Sequence, residues 1–350
     1  RPASPGGRGV AGLESGPGGS MRPPDSRGSG GPSVLDARNL TTIPRLTVLV
    51  GKGGVGRTTL AAALGVVAAR RGRRTLLIEV SARQAIPALF DREGLGYAPV
   101  SLADGLWAMR VTWEDALREY GLMKLRLRTA YRLVFENPFM RRLLPAVPGI
   151  AEILVIGKIV HAATDGIQGP GPVDAVILDA PATGHGLSLV GAPAVVAGTV
   201  AAGPLADDAR HLQARLLDSA FTRFHIVATP EEMPVTESVE LYRRLGVEAG
   251  MPLGPLLVNQ VSEPGLAPQE VRSLAAASGS AVPASVCAEI QAARFMTDTF
   301  EMQRGHITRL RGQVPLPVVQ LPDVRGVRDV PRRVAVLADH LDARFWREAR

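Results

Sequence analysis

The chain has 350 residues, of which 46% are hydrophobic, so it is long enough and apolar enough to bury one large core or two small ones. Its formal charge of +7 is dispersed along the chain, and only three of its 40 Lys and Arg residues are lysine, which argues against a nucleic-acid-binding protein. A single cysteine, Cys287, excludes an intrachain disulfide and a cysteine-based zinc site, and it favours a reducing, cytoplasmic environment.

The N-terminal segment, residues 1–43, is predicted to be a disordered tail. It is rich in Gly, Pro, Ser and Arg and has little apolar periodicity. Such a composition cannot bury enough apolar surface to offset the conformational entropy that ordering removes. The segment also lacks the apolar stretch of a secretory signal peptide. The folded domain is therefore expected to occupy residues 44–345.

Six short apolar runs follow in chain order and alternate with helical patterns. Most are rich in β-branched residues and nearly continuous, which is typical of strands covered on both faces. Their alternation with helices predicts an α/β fold, a doubly wound and mostly parallel sheet. The predicted strands are Leu46–Val50, Arg74–Val80, Val173–Pro181, Phe221–Pro230, Gly254–Val261 and Pro315–Pro322.

The segment between the second and third predicted strands is too long for a single crossover connection. Its helical patterns predict a helical subdomain inserted at about residues 112–165, and a second insertion is expected at about residues 265–312. The apolar stretch Leu189–Ala206 is long enough to span a bilayer, but Pro193 and Pro204 interrupt it. It is predicted to be buried or to line a groove, so no transmembrane segment is expected.

The stretch GKGGVGRTT, residues 51–59, lies between the first predicted strand and a helix. Its glycines allow backbone N–H groups to converge on phosphate oxygens, and the helix offers its N-terminus to the same anion. Thr58 is at the position whose hydroxyl ligates Mg²⁺, but Arg57 replaces the lysine of the pattern G-x-x-x-x-G-K-[ST]. We therefore predict a P-loop site for ATP and Mg²⁺ that comprises Gly51, Gly53, Gly54, Val55, Gly56, Arg57, Thr58 and Thr59.

Two motifs together resemble one family of ATPases. Lys52, the second residue of GKGG, resembles the signature lysine of the deviant Walker A class. The stretch LDAPATGHGLSLV, residues 178–190, closely resembles the switch II motif of the ArsA-type ATPases, although Gly186 and Ser188 replace Thr and Arg. That family includes the arsenite-pump ATPase and the guided-entry ATPase of tail-anchored proteins. The likeness covers about residues 45–342, and it is strongest to the actinobacterial-type branch.

The resemblance implies a role for several residues. Asp179 would organise Mg²⁺ and water with Thr58, and Lys52 would extend onto the ATP of a facing protomer. Asn259 would contact the adenine edge, and Pro322 would pack in the adenine loop. The implied partner is a second protomer, in a homodimer or in a heterodimer with a paired ArsA-like ATPase. A hydrophobic client or a membrane-associated protein is the implied cargo, with peripheral contact to the membrane as an alternative to a purely cytoplasmic location.

Two positions depart from the family at places that matter for hydrolysis. Arg57 is larger and planar where the family has a compact lysine. An alignment without gaps puts Ser81 where the family has the aspartate that positions the attacking water, and serine is a poor base at neutral pH. Glu79 shares a strand face with position 81 and is the other candidate. Contact of Glu79 with solvent or with a Mg²⁺-bound water is an equally open interpretation.

Three functions remain open at this point. The leading hypothesis is a dimeric ArsA-type switch ATPase that couples ATP binding and weak hydrolysis to a hydrophobic client. The alternatives are a catalytically impaired nucleotide-binding subunit paired with an active sister ATPase, and a MinD- or ParA-like positioning ATPase. Coupling to arsenite transport is rejected, because one cysteine supplies neither the arsenite site nor the Cys-x-x-Cys clamp of the family.

Overall fold

The structure, a computed structural model, describes residues 43–80, 84–125, 147–263, 266–277 and 283–345. All of these residues belong to one compact unit. Four parts of the sequence-based predictions lie outside the described residues. They are nearly all of the predicted tail, Ser81, the middle of the first predicted insertion, and residues 265 and 278–282 of the second.

The described chain forms one eight-stranded sheet with the order β3-β4-β2-β5-β1-β6-β7-β8. Every neighbouring pair is parallel except β3 and β4. The predicted mostly parallel α/β sheet is therefore confirmed, and the six predicted strands correspond to β1, β2 and β5–β8. The strands are β1 (Leu46–Gly51), β2 (Thr75–Glu79), β3 (Val100–Ala103), β4 (Leu106–Arg110), β5 (Ala175–Asp179), β6 (Thr222–Ala228), β7 (Leu256–Val261) and β8 (Val318–Pro322).

The hairpin β3–β4 was not predicted from the sequence. Its two strands are joined by Asp104 and Gly105, and Gly105 has a φ of 68°. An Asp-Gly pair between short apolar runs is a strong hairpin signal, because the turn needs a residue that tolerates positive φ. β4 also pairs in parallel with β2, with Arg110 opposite Glu79. The hairpin thus brings an arginine to the edge of the sheet where the predicted site lies.

Helices cover both faces of the sheet, as in a doubly wound fold. Val48 and Leu49 are consecutive residues of β1 and both are fully buried, but they belong to different core clusters. One cluster includes α3–α7, and the other includes α1, α2 and α10. The helices are α1 (Arg57–Arg70), α2 (Ala85–Ala88), α3 (Trp113–Leu125), α4 (Ile150–Asp165), α5 (Thr183–Thr199), α6 (Pro204–Leu217), α7 (Glu232–Leu241), α8 (Pro268–Ala277), α9 (Ala284–Gln313) and α10 (Val330–Phe345).

The two predicted insertions coincide with helices. α3 and α4 fall in the first, and α8 and α9 occupy the second, while the domain bounds themselves stay predictions. The apolar stretch that begins at Leu189 lies in α5, which contains Pro193, and in α6. Among the residues that the structure describes, no helix is both long enough and apolar enough to cross a membrane.

Candidate functional site

A cavity of about 810 Å³ opens at the carboxyl ends of the central strands. Its wall includes the glycine loop, the ends of β2, β4 and β5, and the first turns of α3, α4 and α5. Ligands of open α/β sheets bind in the crevice outside the carboxyl ends of the strands. The cavity therefore lies where the fold itself favours a binding site.

The loop after β1 can be built only with glycine at two positions. A Cβ atom on Gly51 would lie 2.3 Å from the carbonyl oxygen of Val227 on β6. Gly56 has a φ of +87°, and a Cβ atom there would lie 2.3 Å from the Nδ2 atom of Asn259. Gly53 and Gly54 line the cavity. One side of the loop backbone thus faces the cavity, and the other side packs tightly against β6 and Asn259.

Thr58 and Asp179 form a close pair at the head of the loop. The Thr58 hydroxyl donates a hydrogen bond to Asp179 Oδ2 at 2.6 Å. Asp179 is only 4% exposed, and its Oδ1 atom is buried with no hydrogen-bond partner in the described part of the chain. Burial raises the pKa of Asp179, while the Thr58 hydrogen bond and the charge of Arg57 oppose that rise.

This pair fits a hard cation. Buried polar atoms in folded proteins are nearly always partnered, so an unpartnered carboxylate oxygen points to an acceptor role toward an outside group. Mg²⁺ prefers oxygen ligands and commonly takes one or two protein oxygens together with substrate phosphates. Thr58 and Asp179 offer such a set. No cluster of three or more His, Cys, Asp or Glu residues suited to a metal is found in the described ranges, so a metal held by protein ligands alone finds no support there.

Arg57 is folded back onto the loop. Its Nη1 atom donates to the carbonyl oxygens of Gly51 at 2.6 Å and of Pro181 at 2.9 Å. Its Nε atom is buried and has no hydrogen-bond partner in the described chain. Burial lowers the pKa of Arg57, and the nearby Asp179 opposes that change. Arginine remains charged in proteins, so the guanidinium brings a fixed positive charge to the cavity wall.

Glu79 ends β2 and lies between two other charged residues. It pairs in register with Arg110 on β4 and with Asp179 on β5. Its side chain is fully buried rather than in contact with solvent. Its Oε1 atom accepts the N–H of Ala85 at 2.7 Å and its Oε2 atom accepts the N–H of Ile86 at 3.4 Å. Burial raises the pKa of Glu79 against these hydrogen bonds. The carboxylate that was predicted as a candidate base therefore holds the start of α2.

Lys52 contacts a residue that the sequence did not indicate. Its Nζ atom lies 2.9 Å from Glu237 Oε1 on α7 of the same chain, and both side chains are 31% exposed. An ion pair at such exposure contributes little to stability and can exchange partners. The lysine predicted to act on a facing protomer is thus held within its own protomer.

The remaining predicted residues lie around the loop. Val55 is buried, and its carbonyl oxygen accepts a hydrogen bond from Asn259 Nδ2 at 3.0 Å. The Asn259 Oδ1 atom is buried without a partner in the described ranges. Thr59 follows Thr58 on α1, and Pro322 ends β8 opposite Val261. Their predicted roles, including contact of Asn259 and Pro322 with adenine, stay predictions.

Several residues of the cavity wall were not predicted as site residues, and Arg110 was missed because the hairpin was missed. Arg110 ends β4, and Trp113 and Glu114 begin α3 directly after it. Glu152 of α4 and His185 of α5 also line this wall. Only His185 had been noted, as part of the switch II motif. The Asp-Gly turn before β4 is the sequence signal that could have found Arg110.

Several known proteins are similar to this chain over much of its length. A family model described as anion-transporting ATPase matches residues 44–202. ATPase BagA of Mycobacterium tuberculosis is 32% identical over 257 residues, which are 71% of this chain and 74% of that protein. An arsenical pump-driving ATPase of Acidiphilium multivorum is 25% identical over 239 residues, 63% of this chain and 40% of that protein. ATPase ARSA1 of Chlamydomonas reinhardtii is 24% identical over 275 residues, 62% of this chain and 35% of that protein.

Proposed function

The chain belongs to the ArsA family of anion-transporting ATPases, and we propose that it is a switch ATPase that binds Mg·ATP, pairs with a second protomer and hydrolyses ATP slowly. The observation that carries the proposal is the pair Thr58 and Asp179, which are in contact at 2.6 Å. The other carboxylate oxygen of Asp179 has no partner among the residues that the structure describes. A hydroxyl and a free carboxylate oxygen at the mouth of a glycine loop suit a metal-bound polyphosphate better than any other ligand.

Each part of the site has a task in such binding. The N–H groups of the loop and the N-terminus of α1 would hold the phosphates. The Arg57 guanidinium would supply a positive charge beside them. Thr58 and Asp179 would hold Mg²⁺, which when bound supplies charge neutralisation at the phosphate oxygens. Asn259, already attached to the loop through Val55, would place the base on the β7 side of β1.

Slow hydrolysis is supported by the state of Glu79. A general base must be able to reach the proton that it removes. Both oxygens of Glu79 already accept backbone N–H groups of α2. Glu79 is also fully buried, so water has little access to these oxygens. The same observation favours a second candidate function, a nucleotide-holding subunit whose paired sister ATPase performs the hydrolysis.

A second protomer and an apolar partner surface are both part of the proposal. Lys52 and its ion-pair partner Glu237 are both partly exposed, so exchange of that partner for a phosphate would cost little. On α9, Phe295 is 73% exposed and Met302 is 58% exposed. Two large apolar side chains on one helix at this exposure suit contact with a hydrophobic client or partner protein.

Equilibrium binding tests the proposal directly. The heat of binding of ATP and ADP would be measured with and without Mg²⁺, for the wild-type chain and for Asp179→Asn. We expect Mg²⁺ to strengthen ATP binding to the wild type by at least about 10-fold and to have little effect on the variant, because the amide removes one anionic ligand. Asp207→Asn, at an exposed position of α6, serves as the control. Equal Mg²⁺ dependence in wild type and Asp179→Asn, or no ATP binding by the wild type, would refute the proposal.

A further inference from the structure

We propose that Arg57 serves two partners at once: its Nη1 atom ties the segment after β5 to the phosphate loop, and its Nε–Nη2 edge binds a nucleotide phosphate through two parallel hydrogen bonds. The inference rests on the proposed function in taking the ligand to be a nucleotide phosphate. Under this inference, the replacement of the usual lysine by Arg57 adds a contact to the site and does not simply impair the motif.

The first partner is visible in the structure. Nη1 carries two N–H groups, and both have acceptors, the carbonyl oxygens of Gly51 and Pro181. Gly51 is the last residue of β1, and Pro181 lies between β5 and α5. One nitrogen atom therefore joins the phosphate loop to the segment that leads into α5, across 124 residues of sequence.

The second partner is indicated by what Arg57 leaves unsatisfied. Its Nε atom is buried with no acceptor, and its Nη2 atom makes no hydrogen bond within the ranges that the structure describes. A buried donor without an acceptor is unfavourable, so its presence points to an acceptor that the chain itself does not supply. Nε–H and one Nη2–H project in parallel from the same edge of a guanidinium, and their spacing matches two oxygens of one phosphate.

The surroundings favour an anion at this edge. Arg57 lines the cavity together with Gly53 and Gly54, whose backbone belongs to the phosphate loop. The carboxylate near it, Asp179, already accepts the Thr58 hydroxyl. No ion pair of Arg57 with a carboxylate is found in the described part of the chain, so its charge has not been neutralised by direct contact there. A phosphate is therefore the ligand class that completes it.

A lysine could not do both tasks in this way. Its three N–H groups radiate from one nitrogen atom, and two carbonyl oxygens would leave a single donor for phosphate. Arginine has five donors, and two carbonyl oxygens leave three. A lysine held by both carbonyl oxygens would therefore offer the phosphate one hydrogen bond, whereas Arg57 offers it two parallel ones.

The test restores the usual residue. Arg57→Lys would be compared with the wild type in calorimetric binding of ADP with Mg²⁺, and in hydrogen exchange of the amides of residues 182–188 with and without ADP. We expect at least about 10-fold weaker ADP binding by Arg57→Lys, because one bidentate charge-assisted contact is lost. We also expect ADP not to accelerate exchange in residues 182–188 of the wild type, because Nη1 keeps its hydrogen bond to the carbonyl oxygen of Pro181. Arg70→Lys, at the exposed end of the same helix, is the matched control and should behave as the wild type.

Specific outcomes of the binding and hydrogen-exchange measurements would overturn the inference. ADP binding by Arg57→Lys that equals or exceeds the wild type would show that the guanidinium edge is not used, while leaving the proposed function intact. Acceleration of exchange by ADP in the wild type would show that the tie to Pro181 breaks on binding. If Arg57→Lys does not fold, Arg57→Gln decides, because it retains an amide donor without the charge or the edge. It should lose ADP binding, and binding within about threefold of the wild type would contradict the inference. No ADP or ATP binding by the wild type would overturn both proposals.

Discussion

The β1–β5 side of the cavity and its β2–β4 side differ in how their charged groups are satisfied. On the first side, Asp179 and Arg57 each retain a buried polar atom with no partner in the described chain. On the second side, both oxygens of Glu79 are occupied by backbone N–H groups. The polar atoms of the first side are open to hydrogen bonds from a ligand, whereas the carboxylate oxygens of the second side already accept hydrogen bonds from the protein backbone. Under the proposed function, nucleotide binding and hydrolysis would therefore be separable in this chain.

The largest expected effect comes from filling the loop on the β1–β5 side. Gly56→Ala places a Cβ atom 2.3 Å from Asn259 Nδ2 at a φ of +87°. We expect the free energy of unfolding to fall by about 3 kcal/mol, because the cost of a positive φ at alanine adds to the cost of the steric clash with Asn259. Nucleotide affinity should fall with it, because Asn259 and the loop must separate. Urea denaturation and calorimetry would measure the two effects.

The control for this change lies on α9. Gly305 has ordinary helical surroundings, and nothing lies within 4 Å of a Cβ atom built on it. Gly305→Ala should stabilise the chain by about 0.5–1 kcal/mol, because alanine loses less backbone entropy in a helix. If the free energy of unfolding of Gly56→Ala were as high as that of Gly305→Ala, the conclusion that the loop is tightly packed at Gly56 would be contradicted.

A smaller effect is expected on the β2–β4 side. Glu79→Gln removes a carboxylate that accepts the N–H of Ala85 at 2.7 Å. The unfolding free energy should fall by about 1–2 kcal/mol, as is typical for a hydrogen bond to a charged group. Phosphate release should change by less than about threefold, because the account gives Glu79 a structural role. A loss of more than about 10-fold in the rate of phosphate release would identify Glu79 as the base. The β2–β4 side would then take part in catalysis, contrary to the comparison above.

The pH dependence of stability sharpens the same comparison. Burial raises the pKa of Glu79 in the folded state. Between the unfolded pKa and the raised folded pKa, the folded chain binds more protons than the unfolded chain, so stability rises as the pH falls. Glu79→Gln removes this contribution. The stability advantage of the wild type over the variant should therefore be greater at pH 5 than at pH 8, in denaturation measurements without Mg²⁺. An advantage that shrinks as the pH falls would contradict the burial of this charge.

The smallest effect is expected where the loop meets α7. Glu237→Gln removes the partner of Lys52, and both side chains are 31% exposed. The unfolding free energy should change by less than about 1 kcal/mol. Because Lys52 is then free to contact a facing protomer, association of protomers in Mg·ATP should strengthen by a few fold in sedimentation equilibrium. Weaker association of Glu237→Gln would show that Glu237 itself belongs to the protomer interface.

The sequence predicted those parts of the molecule that depend on local pattern. β1 and β5 were predictable because their apolar runs are continuous, and the loop was predictable because its glycines and Thr58 follow a short motif. The burial of β3 and β4 is uneven along each strand, and neither sequence is a continuous β-branched run. The hairpin was nevertheless signalled by its Asp-Gly turn.

Contacts between distant segments could not be predicted from the sequence. The hydrogen bond from Arg57 to Pro181 spans 124 residues, and that from Asn259 to Val55 spans 204. The first depends on the pairing of β1 with β5, and the second on the pairing of both β1 and β7 with β6. The pairing of Lys52 with Glu237 likewise follows from the position of α7 after β6. From the sequence, Arg57 was a departure from a motif, and only the fold gave it partners.

Phosphate release from Mg·ATP, by wild-type protein whose ATP binding has first been verified, tests the central claim most directly. The account predicts tight ATP binding with release well below ~1 s⁻¹, the lower end of typical turnover, and a further loss of release in Lys52→Ala. Tight ATP binding with slow phosphate release would support a β1–β5 side that binds nucleotide and a β2–β4 side that does not supply an efficient base. Release at or above ~1 s⁻¹ would contradict the account, because the occupied Glu79 would then sit in a fully competent hydrolytic site.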